Sequence, residues 1–310
     1  MKILITGVTG FLGSHLAKYL IEAGHSVIGL KRKSSLTSKI DLISDRLQLF
    51  DIEDGLEFLS FEIDAVIHTA TCYGNKGEAA SEILSSNVIF PLTLMEKAKA
   101  KNIHTFINAS TFFCKAADDY GYLNKYIKSK KIFHDFAKSF GELNEMKFIN
   151  VSLEHMYGPG DADSKFITDV TKRFLRHQAV MDFTPGNQIR DFVHVDDVVF
   201  AFDRILHYAK NSVEENYADF EVGTGTATSI KDFVNMIHSL SKSKTEMNFG
   251  ALSYRSSEIM YSKANNENLI VKTGWSSRVS MTEGIQSILS DLTSKNTSID
   301  KKSCFDRGIR

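Results

Sequence analysis

The fold of this chain is decided by its amino-terminal stretch, Lys2-Ile-Leu-Ile-Thr-Gly-Val-Thr-Gly-Phe-Leu-Gly-Ser14. The apolar run before Gly7 predicts a buried strand, and Gly10 and Gly13 lie where the chain enters a helix. Glycine allows a tight turn, and the free N–H groups at a helix N-terminus attract anions. The stretch therefore predicts a phosphate-binding turn in a β-α-β unit.

The first half of the chain alternates short β-branched runs with longer stretches of helical period, which predicts parallel strands joined by crossover helices. The expected strands are Lys2–Thr6, Ser26–Leu30, Leu47–Phe50, Ala65–His68, Thr105–Ala109 and Lys147–Val151. The expected helices are Phe11–Ala23, closed by Gly24, then Ala80–Ala100 and Tyr122–Lys138. The predicted fold class is α/β, a Rossmann-type doubly wound parallel sheet.

The glycine spacing is one residue longer in its first gap than the standard dinucleotide fingerprint, although the mechanics are the same. About 20 positions on, that fingerprint has an acidic residue for the ribose 2′-hydroxyl. Here the second strand ends at Lys31-Arg32-Lys33. Because cations can neutralise a 2′-phosphate, Lys31 and Arg32 favour NADP(H), with NAD(H) possible. A solvated basic loop is the alternative interpretation.

The pattern changes after Tyr157-Gly-Pro-Gly160, where shorter helices and scattered strands such as Asp219–Val222 and Thr245–Phe249 begin. This change predicts a smaller mixed C-terminal lobe that binds the substrate. We expect a dinucleotide-binding domain at 1–160, a mainly substrate-binding lobe at 161–292 with some chain returning to the first domain, and a frayed polar tail at 293–310.

Composition limits the remaining classes of function. The 310 residues are 43% hydrophobic and 24% charged with a net charge of -1, which is an ordinary globular balance without a global attraction for nucleic acid or membrane. The three cysteines have no pattern that indicates a disulfide framework or a metal site. Because neither a signal-peptide pattern nor a spanning apolar run is present, we expect a cytoplasmic protein with no membrane, nucleic-acid or metal partner.

Tyr126 and Lys130 are four positions apart in a predicted helix, so both project from one face. A nearby ammonium group favours the phenolate and brings the tyrosine pKa closer to working pH. Tyr126 is thus a candidate general acid for a carbonyl or general base for an alcohol. A tyrosine and a lysine four positions apart on a helix are common by chance. The position of this pair, downstream of the glycine turn and after a fifth strand, favours a catalytic role.

Several motifs together resemble the extended short-chain dehydrogenase/reductases across essentially residues 1–290. They are Thr6-Gly7-x2-Gly10-x2-Gly13, Tyr126-x3-Lys130, Tyr157-Gly-Pro-Gly160 and Arg190-Asp-Phe-Val-His-Val-Asp-Asp197. Further stretches resemble the CDP-abequose synthase family, reductases that complete a 3,6-dideoxyhexose for lipopolysaccharide O-antigen. These stretches are Asn87–Leu92, Leu153–Asp161, Gln188–Phe192, Val222–Gly225, and Glu258–Met260 with Ala264–Asn266.

The resemblance implies a set of ligand contacts. The cofactor contacts it implies are the turn residues Gly7, Thr9, Gly10, Phe11, Leu12 and Gly13, then Asp51 and Ile52 beside the adenine, Thr69, Ala70 and Thr71 with Asn87 along the pyrophosphate and ribose, Tyr126 and Lys130, and Leu153 and His155 at the nicotinamide. It further implies that Arg190 and Arg255 hold the substrate diphosphate. A core position for Leu153 and surface ion pairs for both arginines are the alternatives.

One departure from the family concerns the Ser or Thr hydroxyl that hydrogen-bonds the substrate oxygen. Counting back four residues from the aromatic Phe113 reaches Ala109, which has no hydroxyl. Ser110 and Thr111 are the next candidates, and we prefer Ser110. The same segment lacks the Asp-Glu pair of the family's 4,6-dehydratases, which argues against dehydration.

The resemblance implies NADPH-dependent reduction of a 4-keto nucleotide sugar at C4, with a CDP-linked substrate and a homodimer formed through helices Ala80–Ala100 and Tyr122–Lys138. Two alternatives stay open. A nucleotide-sugar 4-epimerase uses the same groups, and an NADP-binding sensor that has lost catalysis would keep the fold.

Overall fold

A computed structural model describes residues 1–56, 62–115, 123–212 and 215–305 of the chain, with side chains described as far as residue 295. The first residue of the predicted helix Tyr122–Lys138 lies outside these ranges. No helix in the described ranges is long and apolar enough to cross a membrane.

A seven-stranded parallel sheet forms the centre of the larger lobe. Its strands are β1 (Lys2–Thr6), β2 (Ser26–Lys31), β3 (Leu47–Asp51), β4 (Ala65–His68), β5 (Thr105–Thr111), β6 (Lys147–Leu153) and β11 (Tyr217–Val222). Their spatial order is β3-β2-β1-β4-β5-β6-β11. The predicted Rossmann-type α/β fold is confirmed, and its strand order reverses between β1 and β4, where such sheets bind ligands.

Helices cover both faces of this sheet. They are α1 (Phe11–Glu22), α2 (Ala80–Leu84), α3 (Phe90–Ala100), α4 (Asn124–Glu142), α6 (Val195–Asn211) and α8 (Glu267–Thr273). One apolar core joins the sheet to α1 and α6, and a second joins its other face to α3 and α4. Because both faces are covered, the central strands β1 and β4 consist mostly of buried apolar residues.

The predicted helix Ala80–Ala100 is divided into α2 and α3 by a π-helical segment, Ser85–Ile89. Pro91 explains the irregularity, because proline has no N–H to donate to the carbonyl four residues earlier. The extra residue turns Asn87 into the protein, where its side chain is buried.

The smaller lobe is built from short elements around its own apolar core. They are β7 (His155–Tyr157), β8 (Val180–Phe183), β9 (Ile189–Arg190), β10 (Phe192–His194), β12 (Thr228–Ser229), β13 (Glu246–Phe249), α5 (Phe166–Leu175), α7 (Ile230–Ser241) and α9 (Met281–Phe305). Three two-stranded sheets pair β7 with β10, β9 with β12 and β8 with β13.

Helix α9 continues to Phe305, so the described part of the predicted tail, 293–305, is helical. The apolar side chains Ile285, Ile288 and Leu292 anchor this helix in the core of the smaller lobe. Once anchored, a helix can extend through polar residues that show no amphipathic period of their own.

Candidate active site

The glycine turn leaves no space for side chains. Gly7 has a φ of +68°, and a Cβ there would lie 2.8 Å from the backbone of Ala70. A Cβ on Gly13 would lie 2.3 Å from the Gly7 carbonyl oxygen. Gly10 caps α1 without a side-chain hydrogen bond, and the first turn has no acidic residue. The helix N-terminus is therefore suited to a pyrophosphate.

The other turn residues support this cradle from inside. Leu12 is buried in the core, while Thr9 and Phe11 are half-buried, with the Phe11 ring edge-on to His15 at 5.2 Å between centroids. His15 also hydrogen-bonds the Pro159 carbonyl at 3.0 Å. This contact joins α1 to the Tyr157–Gly160 motif.

Thr69, Ala70 and Thr71 lie directly beside the glycine turn. The backbone N–H groups of Thr69 and Ala70 donate to Thr6 Oγ1 at 3.2 and 3.3 Å. The Thr69 hydroxyl donates to the Thr6 carbonyl at 2.7 Å. The ends of β1 and β4 thus form one wall at the switch point of the sheet, as the predicted cofactor site requires.

Asn87 joins this wall to helix α4. Its Oδ1 accepts from the Cys72 N–H at 2.7 Å, and its Nδ2 donates to the Cys72 carbonyl at 2.8 Å and to Ser129 Oγ at 2.9 Å. The Thr71 hydroxyl donates weakly to Asn87 at 3.4 Å. Asn87 therefore orients the loop after β4 from within the protein.

The two cations of the basic cluster have different environments. Lys31 ends β2, and its Nζ lies 2.5 Å from Asp51 Oδ1 at the end of β3. Arg32 is exposed and forms no ion pair within the described part of the chain. Ile52 packs on the apolar core beside Asp51. Lys31 is therefore neutralised within the protein, and Arg32 is the cation open to a ligand.

Tyr126 lies near the start of α4 and is only 4% exposed. The Thr111 hydroxyl hydrogen-bonds the Tyr126 side chain, and Thr111 Oγ1 accepts weakly from the Phe113 N–H at 3.4 Å. The Tyr73 ring lies 4.9 Å from the Tyr126 ring.

The geometry favours Thr111 over Ser110 as the hydroxyl beside Tyr126. Ser110 instead faces Cys114, with 3.9 Å between Oγ and Sγ. The Ala109 side chain belongs to the apolar core. Pairing with β6 extends β5 as far as Thr111, so the hydroxyl reaches the tyrosine without any shift of the loop. The choice between Ser110 and Thr111 as the hydroxyl that bonds the substrate stays a prediction.

Lys130 is also buried, and its Nζ donates to the Ala109 carbonyl at 3.1 Å. Burial lowers the pKa of Lys130 to about 8, although Cys114 opposes this shift. Burial raises the pKa of Tyr126 well above its usual value, with smaller contributions from Tyr73 and Cys114, and the bond from Thr111 offsets only part. The expectation that Lys130 brings the tyrosine pKa down is wrong for the protein alone. Tyr126 keeps its proton, the form that a general acid needs.

Leu153 is the last residue of β6, and His155 is the first residue of β7. Leu153 is 9% exposed and packs in the sheet core, which is the alternative position considered for it, and its contact with the nicotinamide stays a prediction. The His155 ring packs on Phe112 with 4.3 Å between centroids. Burial lowers the pKa of His155, although the nearby Glu154 acts in the opposite direction. The lowered pKa keeps the imidazole neutral.

Arg190 is 4% exposed in β9 and is already paired, with its NH2 2.8 Å from Glu258 Oε1 and its NH1 bonded to the Ile189 carbonyl. Arg255 is exposed in the same turn as Glu258, whose N–H donates to the Arg255 carbonyl at 3.2 Å. Next to Glu258, Ile259 packs against the cluster around Tyr126. Arg190, through Glu258, and Arg255 therefore meet at one turn, which is followed by a residue that contacts the Tyr126 cluster.

Asp191 holds the loops of this region together. Its carboxylate accepts from the Thr224 N–H and hydroxyl, the Gly225 N–H and the Ala264 N–H at 2.7–3.2 Å. Three motifs that the sequence leaves scattered thus meet at one buried side chain. This role of Asp191, like those of Glu258, Ser129 and Tyr73, was missed from the sequence because each depends on a partner far away in the chain.

A Rossmann sheet with a glycine-lined anion turn at its switch point, followed by a buried Tyr-Lys pair, defines an NAD(P)-dependent oxidoreductase. A family model confirms this: residues 3–223 match the NAD dependent epimerase/dehydratase family, and the chain belongs to it. It is also similar to CDP-abequose synthase of Salmonella muenchen, with 37% identity over 290 residues, 93% of this chain and 97% of that protein. The corresponding enzyme of Salmonella typhimurium strain LT2 is 35% identical over 94% of this chain and 98% of its own length.

Solved structures share the fold. A UDP-glucose 4-epimerase from Thermotoga maritima, solved with UDP-glucose, matches with a TM-score of 0.81 at 22% identity, over 95% of this chain and 99% of that one. The epimerase Mth375 of Methanothermobacter thermautotrophicus matches with a TM-score of 0.83 at 20% identity, over 97% and 94%. At these identities the likeness establishes the fold alone.

Proposed function

We propose that the protein reduces the C4 ketone of a nucleotide sugar, and that the substrate is a CDP-linked 3,6-dideoxy-4-keto-hexose. The observation that carries the proposal is the protonated, buried Tyr126 with the Thr111 hydroxyl bonded to it. A ketone oxygen that becomes an alcohol needs one proton, and this site holds one in place. The similarity to CDP-abequose synthases over nearly their whole length supports the choice of sugar and base.

The residues divide the work of this reaction. The nicotinamide supplies the hydride when it is bound, and the glycine turn with Thr69–Thr71 fits its pyrophosphate. Tyr126 donates its proton to the developing alkoxide, and Thr111 orients the phenol and stabilises charge on its oxygen. Lys130 supplies positive charge behind the tyrosine. Arg190 and Arg255 bind the diphosphate, so that binding energy from the nucleotide positions the sugar.

The experiment that tests the reaction uses purified protein, NADPH and the CDP-linked keto sugar, with dTDP-, GDP- and UDP-linked keto sugars as matched comparisons. We expect loss of absorbance from the reduced nicotinamide, fastest with the CDP sugar, and a C4 alcohol by NMR. Inversion of a C4 hydroxyl without net cofactor consumption would establish an epimerase instead, and cofactor binding without any turnover would establish a sensor.

We further propose NADP(H) as the preferred cofactor, through Arg32. Because Lys31 is paired with Asp51 while Arg32 is exposed, Arg32 is the side chain suited to a 2′-phosphate. Affinities for both cofactors should be measured for wild type, Arg32→Asp and the control Lys33→Gln. We expect Arg32→Asp to lose the preference for NADP(H) and Lys33→Gln to keep it. Equal wild-type affinities would refute the proposal.

A homodimer is proposed through the helices α2, α3 and α4. Exposed apolar side chains lie on α2, on the π-helical segment that joins it to α3, and on α4, namely Leu84, Ile89, and Ile132 with Phe136. Exposed apolar area of this kind is typical of a contact between subunits. Light scattering should give twice the chain mass for wild type, and Phe136→Glu with Ile89→Glu should give the chain mass.

A further inference from the structure

A cluster of two histidines and an aspartate lies far from the active site, where the turn after α1 meets α6. His25 directly precedes β2, and Asp203 and His207 are one turn apart on α6. One ligand atom of each side chain lies within 4.8 Å of the others. The sequence gives no sign of this cluster, because His25 is distant in the chain from the other two.

Asp203 is the centre of the cluster and is only 8% exposed. Its Oδ1 lies 3.7 Å from His25 Nε2 and 3.7 Å from His207 Nε2, and both distances are too long for a hydrogen bond. Within the described residues, this buried oxygen has no hydrogen-bond partner. A buried carboxylate oxygen without a partner is costly, so the position calls for a ligand.

Neighbouring cations do not fill this role. Arg204, the next residue in the chain, directs its guanidinium at the Thr273 carbonyl, with bonds of 2.6 and 2.8 Å. Asp203 Oδ1 thus faces the Nε2 atoms of His25 and His207, each 3.7 Å away.

We propose that His25, Asp203 and His207 bind a divalent first-row transition metal ion, with Zn²⁺ as the best match. Zn²⁺ binds imidazole and carboxylate ligands at about 2.0–2.1 Å, which places the ligand atoms of a tetrahedron about 3.4 Å apart. The observed 3.7 Å contacts are within a few tenths of an ångström of that separation. Because the His207 side chain is 50% exposed, it is able to make the remaining movement.

The position of the cluster indicates that a bound ion would stabilise the fold and would take no part in the reaction. His25 lies at the amino end of β2, whereas the glycine turn lies at the carboxyl end of the neighbouring β1, and Lys2 pairs with Ser26. A five-residue strand separates the two ends by roughly 17 Å. A bound ion would therefore join α6 to the turn after α1 without touching the reacting groups, and it would stabilise the native state by mass action.

The test uses metal-stripped full-length protein and Zn²⁺ alone, measured by calorimetry and by Tm. We expect one equivalent of Zn²⁺ to bind and to raise Tm in wild type. His207→Gln should weaken that binding at least about tenfold, because a bound ion loses one of its three protein ligands. His104→Gln, an exposed histidine outside the cluster, should bind Zn²⁺ as wild type does.

A second measurement reports the ligands directly. Co²⁺ in the same site should give visible absorption typical of tetrahedral N and O coordination, and this absorption should be lost in both His207→Gln and Asp203→Asn. Absence of Zn²⁺ binding in wild type would overturn the proposal. Binding of equal strength in wild type and His207→Gln would overturn it as well, because the ion would then lie elsewhere.

Discussion

The proton-transfer site and the cations expected to bind anions differ in the partners that the protein gives them. Among the described residues, Tyr126 and Lys130 are buried without an ion pair and contact neutral groups, the Thr111 hydroxyl and the Ala109 carbonyl. Lys31 and Arg190 each face a carboxylate, Asp51 and Glu258. The proposed catalytic pair therefore has its protein contacts in place before substrate arrives, whereas an anion at Arg190 must compete with Glu258.

The largest effect expected from this contrast is at Tyr126. Tyr126→Phe removes only the transferable proton, so kcat should fall by roughly 10²- to 10⁴-fold while cofactor and substrate still bind. Tyr208→Phe, at the far end of α6, serves as the control and should keep the wild-type rate. A Tyr126→Phe enzyme with more than about a tenth of that rate would assign the acid to another group.

A change at Arg190, the cation paired with Glu258, should weaken substrate binding. Arg190→Lys keeps a charge for Glu258 but loses the planar fork, and charge-assisted hydrogen bonds contribute about 1.5–3 kcal/mol. We expect KM for the nucleotide sugar to rise about 10- to 100-fold with a much smaller change in kcat. The surface pair of Arg173 with Asp169 offers a control, Arg173→Lys, that should leave KM unchanged. A pure loss of kcat in Arg190→Lys would contradict a diphosphate contact.

Loss of the Thr111 hydroxyl should lower kcat/KM by about one order of magnitude, whereas loss of the adjacent Ser110 hydroxyl should have little effect. Thr111→Val removes the bond to Tyr126 and should lower kcat/KM about tenfold, since one hydrogen bond is worth about 0.5–1.5 kcal/mol. Ser110→Ala loses only a contact with Cys114 and should change kcat/KM less than about twofold. The reverse ranking would mean that the loop rearranges when substrate binds.

The smallest effect concerns pH. Lys130 has its pKa lowered to about 8, so raising the pH through 8 removes its charge while Tyr126 still holds its proton. We expect kcat/KM for reduction to be about half its plateau value at pH 8 and to fall further above it. A profile that stays flat to pH 10 would show that Lys130 acts without its charge.

The sequence predicts the sheet well and the site only in part. Strand positions follow from apolar runs, because a parallel sheet that is covered on both faces needs strands made of nearly continuous apolar residues. The ends of β5 and β6 were placed two residues short, since Thr111 and Leu153 pair with each other in the sheet and local pattern does not report such pairing.

Residue type identifies candidates without giving their state. The positive cluster at Lys31 and Arg32 reads as two equivalent cations, yet Asp51 on the next strand neutralises one of them. Similarly, the Tyr126-x3-Lys130 spacing suggests a charge that lowers the tyrosine pKa, whereas burial, which depends on the whole fold, acts in the opposite direction and dominates.

The π-helical segment Ser85–Ile89 makes the length of this part of the chain a constraint in its own right. Each residue of a helix accounts for a rotation of about 100°. Deleting one residue there would turn Asn87 away from Cys72, or else rotate Leu94 and Met95 out of the core. We therefore expect homologues to keep the length of this segment even where its side chains vary. A scan of single-residue deletions would measure how poorly the segment tolerates a change in length.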